Sequence, residues 1–222
     1  MPGNPWYAIP DWWAVVGTLL TLIYAIFHEE LWTWWRRPKI KISIQVKHPD
    51  CVKTTLPKQN SSEFYSECYR FRLRVQNFGE TTAEAVEVYA ERLQHQLDDG
   101  SLEDVERFPP MNLLWAHVRR STQSISPGLC RHCDLGFIVG PNTVADAIDI
   151  HFDHTLRLSL DLEVQPEHSG FRIAAGSYQL TVVVGATNMR PQRKVINLKF
   201  SGEWHTDENE MFSQGIPIEV IA

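Results

Sequence analysis

In the segment CYRFRLRVQN, Arg70, Arg72 and Arg74 stand at alternate positions. On a strand that spacing puts all three guanidiniums on one face, where they can grip phosphate or carboxylate groups. The same face can also be neutralised from a neighbouring strand. With residues 69–77 antiparallel to 83–92, Arg74 comes opposite Glu87 and Arg70 opposite Glu91, while Val75 meets Val86, Leu73 meets Val88 and Phe71 meets Ala90. One register then satisfies the apolar and the charged face together. It leaves Arg72, opposite Tyr89, as the cation expected to bind a ligand.

Other constellations are weaker. DAIDIHFDHT (146–155) sets Asp149, His151 and Asp153 on one face of a strand, a donor set of the kind divalent metals use. Alternate donors on a flat strand lie about 6–7 Å apart, too far to share one ion, so a solvated face is expected. Cys130 and Cys133 have zinc-knuckle spacing, but no second close pair accompanies them and a strand sends residues three apart to opposite faces. The acidic stretch LDDGSLEDVE (97–106) departs from a calcium-loop pattern and reads as a solvated turn. There is no G-x-S-x-G, no phosphate loop and no dinucleotide glycine motif, and His28-Glu29-Glu30 lacks the second histidine of a zinc protease helix. No catalytic residue, metal or cofactor is therefore expected, and nothing points to an enzyme.

The elements that must position these residues are short strands. Ile40, Ile42, Ile44 and Val46 alternate with polar residues, as a half-buried strand should. Residues 48–62 form a polar loop, CYRFRLRVQN follows, and the turn NFGETT leads into AEAVEVYAERL. Further alternating runs occur at 111–118, 129–139, 147–153, 155–164, 177–186, 194–201 and 216–221, separated by the turn signals PG, GPN, PEHSG and TNMRP. Eight or nine short strands without an amphipathic helix among them predict an all-β, antiparallel sandwich or barrel over residues 36–222.

RVQNFGETTAEAVEVYAERL resembles the V-x-N-x-G, small residue, V-x-V pattern of bacterial immunoglobulin-like domains related to the cell-adhesion type. AAGSYQLTVVV is similar to the G-x-Y strand of immunoglobulin-like folds, in which Tyr178 would form the tyrosine corner. The resemblance implies an immunoglobulin-like antiparallel β-sandwich that binds rather than catalyses. It lacks the paired cysteines of antibody-type domains, since Leu180 stands two residues after the tyrosine.

Ahead of the strands, WWAVVGTLLTLIYAIF (12–27) carries no charge. Extended to Trp35, a helix of 24 residues would measure about 35 Å, enough for a hydrocarbon core of about 30 Å. Trp12 and Trp13 would then lie at one membrane interface and Trp32, Trp34 and Trp35 at the other. Arg36 and Arg37, with Lys39 and Lys41 behind them, place the following domain on the cytoplasmic side by the positive-inside rule. The expectation is one transmembrane α-helix over 12–35 behind a short extracytoplasmic N-terminus (1–11), in the inner (plasma) membrane, with a lipid bilayer as partner. Gly17, Thr21 and Ala25 recur every four residues, with His28 nearby, a small-residue ladder that suits self-association or a partner helix.

Charge is consistent with a protein or small-ligand partner rather than nucleic acid. Lys and Arg number 21 against 27 Asp and Glu, so there is no general basic surface. Four cysteines are too few for a disulfide framework in 222 residues. The expected function is a non-enzymatic binding or interaction protein, an effector or accessory subunit. The alternatives are a metal-binding or metal-dependent hydrolytic β domain, and an extracytoplasmic adhesion module of inverted topology.

Overall fold

The change at Pro38 from a helical to a two-residue hydrophobic period divides the chain into two units, Met1–Arg37 and Pro38–Ala222. The computed structural model describes residues 12–57, 64–141, 155–166 and 168–221.

In the first unit, α1 (Trp12–Trp35) mixes Ala, Leu and Glu with aromatic and β-branched residues of middling helix propensity, and two of its threonines fold their hydroxyls back on the helix. Thr18 donates to the Ala14 carbonyl at 2.8 Å and Thr21 to the Gly17 carbonyl at 2.7 Å. The side chains from Trp12 to Phe27 are exposed on every side, Trp13 at 85%. Among the described residues no helix is long and apolar enough to cross a membrane. The uncharged run Trp12–Phe27 covers only about 24 Å at 1.5 Å per residue, short of a core of about 30 Å. Reaching the second tryptophan cluster means including His28, Glu29 and Glu30. This corrects the expected transmembrane helix. The tryptophan belt of Trp12, Trp13, Trp32, Trp34 and Trp35, the basic shoulder of Arg36 and Arg37, and the single-pass inner-membrane location fall with it.

The second unit is all-β, with two antiparallel sheets as in a β-sandwich. One sheet runs β1 (Ile40–Ser43), β3 (Phe64–Asn77), β8 (Cys130–Val139), β9 (Leu158–Leu160), β10 (Arg172–Ile173), with β2 (Cys51–Pro57) also on β3. The other runs β13 (Ile218–Ile221), β12 (Met189–Phe200), β11 (Gly176–Ala186), β4 (Ala83–Gln96), β5 (Leu102–Asp104), with β6 (Met111–Asn112) and β7 (Gln123–Ile125) also on β4. The inner faces interlock through Phe71, Leu73 and Val75 of β3, Val86 and Val88 of β4, Leu180 and Val182 of β11, and Ile196 and Leu198 of β12, all essentially inaccessible to water.

The expected pairing of 69–77 with 83–92 does not form, because β3 and β4 belong to different sheets. β3 instead lies on β8, with Arg72 opposite Asp134 and Arg74 opposite His132, while β4 lies on β11. The turn between them explains the divergence. Buried Asn77 donates through Nδ2 to the carbonyls of Thr81 (2.8 Å) and Ile125 (2.9 Å). Its Oδ1 accepts from the amides of Lys39 (3.2 Å) and Gly79 (2.9 Å). All four side-chain hydrogen-bonding positions are used to fold the chain over from one sheet to the other. A tight two-residue hairpin would have kept both strands in one sheet.

One further irregularity sets up the site. β1 and β2 share the same edge of β3, pairing with its residues 74–77 and 64–71 respectively. The chain between them loops out and returns at Asp50, whose carbonyl accepts the Arg72 amide at 2.8 Å.

Candidate functional site

Because Phe71, Leu73 and Val75 point inward, Arg70, Arg72 and Arg74 must point out from the same strand. Each meets an acid there, brought by a different element. Arg74 Nη2 lies 3.1 Å from Oδ1 of Asp50, at the break in the edge strand. Arg72 Nε lies 3.0 Å from Oδ1 of Asp134 on β8. Arg70 Nη1 lies 3.6 Å from Oδ2 of Asp161, just past β9. The acids are buried, at 0%, 5% and 2% exposure, as only partnered carboxylates can be at modest cost.

The cluster has a closed end and an open end. At the closed end Asp50 also accepts the Gln45 amide at 2.9 Å and sits 3.0 Å from His132 Nε2. The Asp50 hydrogen bond keeps the Arg74 guanidinium charged even more firmly than usual. The open end is a cleft of about 390 Å³ lined by Arg70, Arg72, Arg119, Asp134 and Asp161, with His117, Phe137 and Gln165 around them. Its volume lies in the range of small-ligand sites, but its lining is far more polar than usual, Phe137 being the single apolar side chain.

Arg119 comes from the loop that follows Trp115. It lies on Asp161 with both carboxylate oxygens, at 2.9 and 2.7 Å. The loop is cinched by the Arg119 amide donating to the Trp115 carbonyl (3.0 Å) and the Trp115 amide donating to that of Arg120 (2.9 Å). Buried Trp115 anchors it further, its indole Nε1 donating to the carbonyls of Val86 (3.1 Å) and Ser121 (3.2 Å). His117 and Arg119 both hold left-handed backbone, at φ 69° and 52°. Such conformations cost a non-glycine residue about 1–3 kcal/mol each and cluster at functional sites. Here both strained residues line the one cleft.

Burial, and then the charge of Asp161, push the Asp134 carboxyl above the usual aspartate range, against the lowering pull of Arg72. Cys133, wholly buried beneath the cluster, is pushed well up by burial and donates its thiol to the Leu114 carbonyl at 3.4 Å. Burial also raises Cys130. Among the described residues no group of three His, Cys, Asp or Glu side chains comes together to hold a metal ion. Asp149, His151 and Asp153 lie outside the described residues.

Arg72, expected to stand free opposite Tyr89, is instead ion-paired with Asp134 while still lining the cleft. Glu91 is held by Arg193 at 2.8 Å rather than by Arg70. Asp50, Asp134, Asp161 and Arg119 went unnoticed in the sequence. Asp134 left one signal, an aspartate inside the otherwise apolar run CDLGFIV, whereas Asp161 in LSLDLEV falls at a polar position of an alternating strand and reads as solvent-facing. Gly17, Thr21 and Ala25 lie on α1, apart from this cluster in the chain, and the side chain of His28 lies outside the described residues.

A second cleft, of about 310 Å³, sits by β4, β5 and β11, where the rings of His95 and Tyr178 stack at 4.7 Å. Of its acids, Asp104 is taken by Arg92 at 2.6 Å and Glu106 pairs with Arg107 at 3.8 Å, and its rim is exposed. The chain matches no protein-family model and no curated protein sequence.

Proposed function

We propose that the chain is a non-enzymatic binding protein whose β-sandwich recognises a carboxylate or phosphate group in the cleft of Arg70, Arg72 and Arg119. The carrying observation is a charge imbalance. Three guanidiniums line the cleft against two carboxylates, Asp134 and Asp161, leaving one positive charge uncompensated. Planar guanidiniums offer paired donors that match carboxylate and phosphate oxygens. Arg119 is the group placed to change partners. Its side chain is 55% exposed while its partner Asp161 is 2% exposed, so it can turn to a ligand only where another cation keeps that buried carboxylate compensated. If it swings to a ligand, Arg70 stays near Asp161. The resemblance of the RVQNFGETTAEAVEVYAERL stretch to immunoglobulin-like adhesion-related domains supports binding over catalysis, as far as a scaffold can.

The test is calorimetric titration of inorganic phosphate into the full chain. Saturable binding is expected, weakened about tenfold in Arg119→Ala by loss of one charge-assisted hydrogen bond of about 1.5 kcal/mol. Phosphate that fails to bind the wild-type chain overturns the reading.

A second role rests on α1, whose described side chains are exposed all round. Gly17 costs a helix about 1 kcal/mol relative to alanine, yet a Cβ there would meet nothing within 4 Å. Nothing in its own surroundings requires the glycine, and an apolar helix exposed all round calls for a partner surface, so close approach by another helix along Gly17, Thr21, Ala25 and His28 is the reading we favour. Gly17→Leu combined with Thr21→Leu should then reduce the full chain to single copies in sedimentation velocity. An unchanged oligomer distribution would remove this role.

A further inference from the structure

Resting on the anion site just described, we infer that the cleft takes a zwitterionic ligand, one whose phosphate or carboxylate is flanked by an ammonium group, and that Asp134 with Phe137 reads the ammonium. The two carboxylates of the cleft are unequally served. Asp161 receives two hydrogen bonds from Arg119, one on each oxygen, and has Arg70 at 3.6 Å. Among the described residues Asp134 receives one, from Arg72 Nε at Oδ1. Burial and the neighbouring Asp161 raise its carboxyl against the pull of Arg72 and Arg70, a local cost at Asp134 in a cleft whose surplus charge is positive. A cation delivered by the ligand would compensate it.

Phe137 adds the second half of an ammonium site. Its ring lines the cleft and already carries a cation, with the Arg70 guanidinium 5.4 Å from the ring centroid. An aromatic ring that already attracts one cation, in a cleft with an under-served carboxylate, is a combination that favours ammonium groups. Arg70 and Arg119 meanwhile offer donors for the anionic end. A hydroxyl in place of the ammonium would find a partner in Asp134 but would leave the charge deficit untouched. This is why the ammonium is the favoured group.

The experiment compares three probes on the full chain by calorimetry: inorganic phosphate, glycerol 3-phosphate and O-phosphoethanolamine. The last two are close in size and differ in carrying hydroxyls or an ammonium. The expected result is that O-phosphoethanolamine binds at least about tenfold more tightly than glycerol 3-phosphate. In Asp134→Asn, which keeps the shape and an acceptor for Arg72, that ratio should fall to about one while phosphate still binds. Equal affinities in the wild-type chain, or a ratio that survives Asp134→Asn, would overturn the zwitterion assignment and leave the anion site standing. Phosphate failing to bind at all would overturn both. Should Asp134→Asn not fold, Phe137→Leu offers the same readout, and a ratio undiminished there would count against the assignment.

Discussion

Asp50→Ala is expected to destabilise the β-sandwich by about 3–5 kcal/mol, the cost of breaking a buried, hydrogen-bonded ion pair from one side. The acid is fully buried and serves four donors: the Gln45 amide, two nitrogens of Arg74, and His132. Alanine would leave the amide orphaned, a loss of about 1–3 kcal/mol by itself. Arg74 and His132, at 27% and 25% side-chain exposure, could recover part of their loss by turning to water. The backbone carbonyl of residue 50 still takes the Arg72 amide in the variant, so the effect on the break between β1 and β2 runs through the lost side-chain bond to the Gln45 amide. Loosening it should fray the edge of the strand that carries the cleft arginines. Urea unfolding followed by tryptophan fluorescence checks this. A loss below about 1 kcal/mol would mean that the cluster is solvated rather than a buried support. Asp50→Asn keeps one acceptor oxygen, enough for Arg74 and His132 but not for the Gln45 amide as well, and should cost less than alanine.

Trp115→Ala is expected to cost about 3–5 kcal/mol as well, by the different route of an unfilled space in the core. Its side chain is among the largest that are fully buried, and its indole ties β4, through Val86, to the loop bearing His117 and Arg119. Loss of that link should loosen the left-handed backbone of both residues, leaving it held by the backbone bonds of the loop and by the Arg119–Asp161 pair. Trp115→Phe separates the two effects. It fills most of the space, so stability should fall by about 1–2 kcal/mol for the lost hydrogen bonds, while amide exchange at Arg119, now bonded to the Trp115 carbonyl, should quicken. Unchanged exchange there would show that the loop holds its shape without the indole.

The chemistry of α1 and of the strands was more legible than their partners. Alternation in CYRFRLRVQN correctly placed Phe71, Leu73 and Val75 in the core and the arginines outside, since the two-residue period is a local property of the backbone. Which strand would lie opposite was not local. The neat match of Arg70 and Arg74 with Glu91 and Glu87 was a coincidence of spacing, because Asn77 turns the chain out of the sheet before that pairing can form. The acids that do neutralise the row come from residues 50, 134 and 161, tens of positions away, and only the folded sheet brings them together. The tryptophans at both ends of α1 suggested a membrane span. Length decided otherwise, because the charge-free run stops at Phe27 before two glutamates.

The cleft arginines are either ligand-binding groups or a structural layer fully occupied with Asp134 and Asp161, and one titration separates these. Inorganic phosphate added to the full chain, wild type beside Arg119→Ala, with thermal unfolding recorded for both, is the measurement. The expected result is saturable, salt-sensitive binding to the wild type and about tenfold weaker binding to a variant that still folds. Heats indistinguishable from dilution in the wild-type chain, or equal affinity in the two proteins, would contradict it.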